Sequence, residues 1–335
     1  MADETVMMSH GSGGTMMQRI IHEVFLESYG DDILAQGDDA ASLSGFDSGR
    51  IALSTDTFVV TPRFFPGGDI GRLAICGTVN DVATSGAQVK YLSAGFVLEE
   101  GLPMDELRRI CASMAATCAE AGVQIVTGDT KVVNRGHGDG IYINTTGVGL
   151  LPQDRDLSCR HIKPGDKILL SGSLGDHGIA VISQREGLGF STSIESDAAP
   201  LNHLIARVLE AAPHVRCFRD PTRGGLASTL NEFAQASGVA ITVDEESVPV
   251  HEQVRGACEM LGYDIYQVAN EGKMVCVVPP EEADAALAAM RADTYGAEAA
   301  LIGEVTEGEK VRVRNAFGAT RIMDMLVGEQ LPRIC

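Results

Sequence analysis

Apolar positions along this chain follow two periods that take turns. Alternating or nearly continuous apolar runs over 51–60, 91–98, 123–127 and 141–150 predict strands, and apolar residues three and four apart over 15–26, 68–86 and 103–121 predict amphipathic helices. Helix and strand in alternation make the first half an α/β domain. A turn-rich stretch over 152–165 leads into a second set of elements. These are a strand at 167–171, helices at 178–185, 200–211 and 226–237, a strand at 240–243, a helix at 251–261, a strand at 274–278, a helix at 281–291, and strands at 300–305 and 311–314. The second half is α/β or α+β. The last eight residues contain Pro332 and no periodic core pattern. Eight residues reach at most roughly 25 to 30 Å when extended, so this segment is either a frayed end or a flexible arm that carries Cys335 into a cleft of its own or a partner subunit.

Length sharpens this division. At 335 residues the chain exceeds the size at which one core stops growing, so two domains are expected, divided at 155/156, with the tail as 328–335. Hydrophobic residues at 44% and charged residues at 21% are those of a globular protein. No run approaches ~18 apolar residues, and the acidic, then Gly/Ser-rich N-terminus has no apolar signal core, so a cytoplasmic protein with no membrane contact is expected. The eight cysteines lack Cys-x-x-Cys spacing. Cys76, Cys111, Cys118, Cys217, Cys258 and Cys276 lie in apolar or helical stretches, as reduced, buried small hydrophobes do.

A net charge of −20 opposes nonspecific attraction to nucleic acid and to anionic lipid. It also restricts how the chain holds a nucleotide: by local cations, by backbone N–H groups, or through metal ions bridging carboxylates to phosphate. Aspartates recur in the right company for the last of these. Asp38 and Asp39 lie in Gly37-Asp38-Asp39-Ala40-Ala41, Asp56 in Ser54-Thr55-Asp56, and Asp129 in Thr127-Gly128-Asp129. Asn80-Asp81 continues the helical stripe of Ile70, Leu73, Ala74 and Gly77. An ionised carboxylate on a core-facing stripe is costly without a partner, and Mg²⁺ holding triphosphate oxygens suits it. Each aspartate alone is more often a turn former or a cap than a ligand; as a set of five, with Asn80 beside them, they read as a metal–nucleotide site.

Two glycine loops, His10-Gly11-Ser12-Gly13-Gly14 and Gly172-Ser173-Leu174-Gly175-Asp176-His177-Gly178, precede helices, where backbone N–H groups can cradle phosphate. In Arg219-Asp220-Pro221-Thr222-Arg223-Gly224-Gly225, either arginine is placed to hold phosphate or a carboxylate that locks the domains. Lys131 and Glu271 are polar groups beside apolar strands. The eight histidines show no zinc-ligand pairing, and no Ser-His-Asp or Cys-His order appears.

Taken together, these motifs resemble the HypE hydrogenase-maturation family, within the superfamily of aminoimidazole ribonucleotide (AIR) synthetase and selenophosphate synthetase. The resemblance rests on the first glycine loop, Ser54-Thr55-Asp56-Thr57, Phe64-Phe65-Pro66-Gly67-Gly68, Thr78-Val79-Asn80-Asp81-Val82-Ala83, Val126-Thr127-Gly128-Asp129-Thr130-Lys131-Val132-Val133, Gly175-Asp176-His177-Gly178, Asn270-Glu271-Gly272-Lys273 and Pro332-Arg333-Ile334-Cys335. It spans effectively the whole chain. It implies a two-domain AIR-synthetase-like fold, a homodimer in which the first domain's strands join the partner's, and ATP in a cleft of that domain. The implied reaction dehydrates a carbamoyl group, delivered by HypF to Cys335, to a thiocyanate that passes to iron on HypC–HypD as a cyanide ligand of NiFe hydrogenase. Carried over by motif, Gly11, Gly13, Gly14, Asp38, Asp39, Asp56, Asn80, Asp81 and Asp129 bind ATP. Four of these, Asp38, Asp56, Asp81 and Asp129, hold Mg²⁺, while Cys335, Glu271 and Lys131 are catalytic. The alternatives are a selenophosphate synthetase, a thiamine-phosphate kinase, or a noncatalytic scaffold with Cys335 on iron. No Cys precedes the first glycine loop to handle selenide, and neither related enzyme accounts for Pro332-Arg333-Ile334-Cys335.

Overall fold

A computed structural model describes residues 5–11, 14–36, 41, 43–188, 194–325 and 333–335. Asp38, Asp39, Gly13 and Pro332 therefore lie outside the described residues. Helix α1 (Gly14–Ile20) continues through a π-helical turn at Ile21–Leu26 into α2 (Glu27–Tyr29). Strand β1 (Gly49–Phe58) is followed by a small hairpin, β2 (Phe64–Phe65) and β3 (Gly68–Asp69). Next come α3 (Ile70–Thr84), β4 (Gln88–Glu99), α4 (Met104–Ala121), β5 (Gln124–Val133) and β6 (Ile141–Pro152). The four long strands form one sheet in the order β1-β6-β4-β5, with β4 and β5 parallel and the other pairs antiparallel.

The strand expected at 123–127 extends to Val133. Its second half, Gly128-Asp129-Thr130-Lys131, is polar because β5 is an edge strand, and the edge removes the apolar alternation by which a strand is recognised.

Strand β7 (Lys167–Leu170), α5 (Asp176–Glu186), α6 (Asn202–Ala211), β8 (Cys217–Arg219), α7 (Gly225–Ser237) and β9 (Ala240–Asp244) open the second half. Helix α8 (Glu252–Leu261), β10 (Val275–Val278), α9 (Ala283–Arg291), β11 (Ala300–Thr306), β12 (Val311–Arg314) and β13 (Thr320–Ile322) complete it. The sheet order is β13-β12-β9-β11-β7-β10-β8. In β7 and β10, both faces are buried, and successive residues serve different cores. Leu169, Cys276 and Val278 join the main cluster with α5, α6 and α9, whereas Ile168, Leu170, Val275 and Val277 pack with Leu226, Leu230 and Phe233 of α7.

The main cluster runs unbroken from the first sheet, through α3 and α4, into the second half. Polar struts reinforce it. Both ends of the Asn80 amide are engaged, Nδ2 donating to the Ala199 carbonyl at 3.0 Å and Oδ1 accepting from Leu201 N at 2.7 Å, while Asn202 Nδ2 donates to Ala121 O at 2.8 Å. All eight cysteines are free thiols, and the six expected to be buried are buried. No helix among the described residues is long and apolar enough to cross a membrane.

Candidate active site

The end of the chain is held in a cleft. Residues 333–335 lie antiparallel beside the segment that leaves β1, with Val59 N donating to Cys335 O at 3.1 Å and Thr61 N to Arg333 O at 3.3 Å. On the other side, His177 Nε2 lies 2.8 Å from Ile334 O, and Arg185 Nη2 donates to Arg333 O at 2.7 Å. Arg333 Nη1 pairs with Asp139 at 2.7 Å. Ile334 is 2% exposed and belongs to the main core. Of the two readings open for the tail, a frayed end does not hold for these three residues. The carbonyls of residues 333 and 335 are bonded to the segment after β1 and that of Ile334 to α5, while the Ile334 side chain is buried.

This docking brings Cys335 to Glu271. The thiol hydrogen-bonds the carboxylate, and burial followed by the Glu271 charge pushes the thiol pKa up. Glu271 is 3% exposed, and its Oε1 has no hydrogen-bond partner. Burial first, then the charges of Asp220, Asp197 and Asp56, push its pKa well above the ordinary carboxylate range. The backbone makes this position rigid. Gly272 passes so close to Asp197 that a Cβ would lie 1.7 Å from its carbonyl oxygen, which only glycine permits. Asn270 donates to Pro221 O at 2.9 Å and accepts from Gly175 N at 2.7 Å, which ties Glu271 to the Arg219–Arg223 turn and to the start of α5. Glu271 N donates to Asp197 Oδ1 at 3.0 Å. Burial acts to raise the Asp197 pKa, yet the Lys273 ammonium 3.0 Å away and further partners hold it below the ordinary value.

A second group of carboxylates adjoins the first. Ser54 Oγ donates to Asp81 Oδ2 at 2.9 Å, which brings the β1 motif onto α3. The pKa values of Asp56 and Asp81 are both raised, burial being the main cause. Asp220 is pushed up to about 7, by burial and then by the charges of Asp81 and, more weakly, Asp56. Arg223 offsets part of this charge, acting on Asp56 and on Cys335. Arg219 pairs with Glu232 at the surface and also acts on Asp81 and Asp220, so both arginines bear on this cluster.

The remaining candidates gather elsewhere. Asp129 and Lys131 pair at 2.6 Å on β5, where Lys131 is 62% exposed, and the contact holds the Asp129 pKa down. Gly11 packs onto the same strand, with a Cβ there only 2.6 Å from Val132 N, while Gly14 opens α1. A cavity of about 480 Å³ adjoins them, bounded by Met17, Phe25, Phe96, Thr127 and Asp129. Since β5 and β1 are opposite edges of the sheet, three spacings of ~4.8 Å apart, the aspartates expected as one set fall in two places. Asp56 and Asp81 stand with Cys335 and Glu271; Asp129 stands with Lys131 and the glycine loop. Lys131 is exposed on this edge strand, whereas Glu271 is buried. Asn80, expected to bind nucleotide, has its amide committed to the backbone of residues 199 and 201, which makes it a strut beside Asp81.

Similarity to known proteins decides the family. Residues 37–151 match the N-terminal domain of AIR synthase related proteins and residues 163–315 match the C-terminal domain. A carbamoyl dehydratase HypE from Azotobacter vinelandii is 53% identical over 333 residues, 99% of this chain and 97% of that protein. The chain belongs to the HypE family of carbamoyl dehydratases. A crystal structure of HypE in complex with ATP superimposes with a TM-score of 0.95 at 48% identity, covering 99% of this chain and 100% of the other. The HypE of a HypE–HypF complex does so at 0.81 and 47% identity, covering 92% and 99%. Such identity along the whole length sets aside the kinase, selenophosphate synthetase and scaffold readings.

One residue of this HypE-family cleft does not stand out in the sequence. Asp220 lies between two arginines that draw attention first, in a Pro/Gly turn that opens a helix. Its consequence is testable. A carboxyl whose pKa is about 7 when folded and near 4 when unfolded holds more protons in the folded state between those values, so stability falls as pH rises from ~4 to ~7. A cation bound to the ionised form opposes that loss. The metal-free protein is expected to melt at a lower temperature at pH 7.5 than at pH 5.5, Mg²⁺ to stabilise it more at the higher pH, and Asp220→Asn to flatten both trends. Calorimetry at the two pH values checks this; an Mg²⁺ effect that does not change with pH would count against Asp220 as part of a cation site.

Proposed function

We propose that the protein uses ATP to dehydrate a carbamoyl group on the sulfur of Cys335, giving the thiocyanate that becomes a cyanide ligand of the iron in NiFe hydrogenase. The observation that carries this reading is the seating of the Cys335 sulfur on a buried carboxylate, Glu271, at the end of a tail held by backbone bonds on both sides. The division at 155/156, with a tail from 328, is part of the same proposal.

Loss of water from a thiocarbamate removes one oxygen and both protons of the amide nitrogen. ATP supplies the leaving group by phosphorylating that oxygen, and Mg²⁺, when bound, would neutralise charge on the phosphates. Everything else belongs to the chain. Asp56, Asp81 and Asp220 are carboxylates whose pKa values are raised chiefly by burial, and buried hard oxygen donors fit Mg²⁺, although among the described residues no three ligating groups already converge on one point. Asp38 and Asp39 belong to the same assignment. Gly11, Gly13, Gly14, Asp129 and Lys131 serve the nucleotide, Lys131 as the cation for its phosphates. Glu271 takes one nitrogen proton as the oxygen is phosphorylated, its raised pKa making it a stronger base than an ordinary carboxylate, and the departing phosphate carries away the second as hydrogen phosphate.

The partners follow from this chemistry. HypF delivers the carbamoyl group, and HypC–HypD, with their iron, receive the cyanide, all in the cytoplasm. A homodimer is supported by the open face of the first sheet. Opposite pairs Ile51–Leu150 and Leu53–Val148 form an apolar ladder there, and Ile51 and Leu53 are 63% and 67% exposed. An apolar sheet face of this kind needs a cover. Leu53→Asp is expected to turn the dimer into a monomer in analytical ultracentrifugation; an unchanged sedimentation coefficient would place the dimer contact elsewhere.

The reaction is tested by the intact mass of the HypF-carbamoylated protein before and after Mg-ATP, with Cys335→Ala as control. Loss of one water, confined to the tail and dependent on ATP, is expected. A carbamoyl adduct that forms and never loses water would place the catalyst on another protein.

A further inference from the structure

The docked tail makes main-chain bonds to Val59 and Thr61 through the carbonyls of residues 335 and 333, and these face one way. The Ile334 carbonyl faces the other way, into the protein, where an unpaired C=O would be costly. Its partner is the His177 ring, fully buried at the first turn of α5, with Nε2 at 2.8 Å. A carbonyl oxygen only accepts, so Nε2 carries the hydrogen. Burial lowers the pKa of the ring and favours its neutral form, leaving Nδ1 as an acceptor. Ser196 Oγ lies 2.8 Å from Nδ1 and itself accepts from Ala198 N at 3.1 Å, so the serine hydrogen is free to point at the ring. Every donor in the chain Ala198 N–H, Ser196 O–H, His177 Nε2–H then has an acceptor, and only one tautomer completes it. Phe65 packs edge-on against the imidazole, with 5.5 Å between ring centroids, and fixes its plane.

The serine belongs to a segment with other duties. Between residues 196 and 201, the chain accepts from the Glu271 backbone through Asp197 and takes both ends of Asn80, next to Asp81. One short stretch thus sets the tail, the carboxylate beneath it and the helix that carries Asp81 in a common register.

We propose that His177 is a positioning residue for the tethered substrate: Ser196 enforces its Nε2–H tautomer, which fixes the Ile334 carbonyl and thereby the depth at which the Cys335 sulfur meets Glu271. The reading rests on the proposed use of Cys335 as carrier. Placement is what such a site requires, since a reacting group about 1 Å out of position costs roughly 10²-fold in rate.

The test uses the full chain and does not need the dehydration to work. Cys335 alkylation by iodoacetamide is followed by tail-peptide mass, with and without Mg-ATP, in wild type, His177→Leu, His177→Gln and Ser196→Ala. Docking shields the thiol, so His177→Leu is expected to speed alkylation about ten- to a hundredfold, the range expected when a buried carbonyl loses its donor. His177→Gln, whose side-chain amide can donate from near the Nε2 position, is expected to restore most of the protection. Ser196→Ala keeps the ring but releases the tautomer and is expected to fall between, with the ¹⁵N shifts of His177 moving away from the Nε2–H pattern. If leucine and glutamine expose the thiol equally, the ring only fills space and the proposal is wrong. It is equally wrong if neither variant changes the rate in either condition. Protection that tracks the donor, without any loss of water from the carbamoylated wild type, would sustain this inference while sinking the proposed reaction.

Discussion

Glu271→Gln is expected to leave the protein folded and open to carbamoylation by HypF, yet to slow loss of water from the carbamoylated tail by roughly 10² to 10⁴-fold, the usual worth of a positioned general base. Glutamine keeps the shape of the side chain, so the packing around this buried position survives. What it loses is the proton acceptor. In the thiol form, Glu271 accepts from the Cys335 S–H. Once the sulfur carries a carbamoyl group that hydrogen is gone, and the NH₂ group of the adduct is the donor available to replace it. The second carboxylate oxygen, without a hydrogen-bond partner, is the other acceptor within the pocket. The mass spectrum of the variant after Mg-ATP should show the carbamoyl adduct intact. Dehydration at the wild-type rate would remove Glu271 from the mechanism and turn attention to the Asp197–Lys273 pair behind it.

Much of this site is legible in the sequence, for a physical reason. Asp56 and Asp129 show themselves as carboxylates at the end of an apolar run or beside glycine, and Asp81 as one on the core-facing stripe of a helix. Glu271 draws notice because a charge lies beside an apolar run, and the structure buries it at 3% exposure. What cannot be read is which groups share a place. The separation of Asp129 from Asp56 follows from strand order, and β5 lies at the far edge only because β4 and β6 come between. The place of His177 in a glycine loop singles it out, but its role cannot be read, because its partner is 157 residues away in sequence. Asn80 looks like a ligand because amides beside aspartates often are, whereas its partners belong to a connecting segment with no periodic signal of its own. Short elements escape for a related reason. Strands β2, β3, β8 and β13 have two or three residues each, too few for alternation to show.

Seating the tail has a consequence for the order of events. Burial and the Glu271 charge hold the Cys335 thiol in its protonated form, and the thiolate is the nucleophile. Cys335 in this position is therefore poorly placed to receive a carbamoyl group, and equally poorly placed to hand a cyano group to iron on another protein. The tail has to be out of the cleft at both transfers and in it between them. A docked state this useful must also be weak enough to leave, which fits a contact made of one buried apolar side chain, a few hydrogen bonds to the tail's carbonyls and one exposed ion pair.

Ile334→Ala is accordingly expected to separate the two halves of the cycle. Removing most of a fully buried isoleucine typically costs about 2 to 5 kcal/mol. In the interior of the fold that cost would fall on global stability. Here it is expected to fall on docking, because Ile334 enters the core from the last residues of the chain and not from a helix or strand of either sheet. At 1.4 kcal/mol per decade, the docked population relative to the free one drops roughly 30-fold or more. HypF acts on the free tail, so carbamoylation should proceed at least as fast as in wild type, while ATP-dependent loss of water from the adduct falls by the same factor as docking. Quenched time courses of tail-peptide mass, with carbamoylation and dehydration followed separately, read the two steps from one sample, and a melting temperature near that of wild type would show that the fold is intact. Equal slowing of both steps would mean that Ile334 is needed where HypF works as well. Normal dehydration would mean that the backbone bonds to Val59, Thr61 and His177 hold the tail without it, and that the buried side chain, for all its contact with the core, contributes little to bringing the sulfur to Glu271.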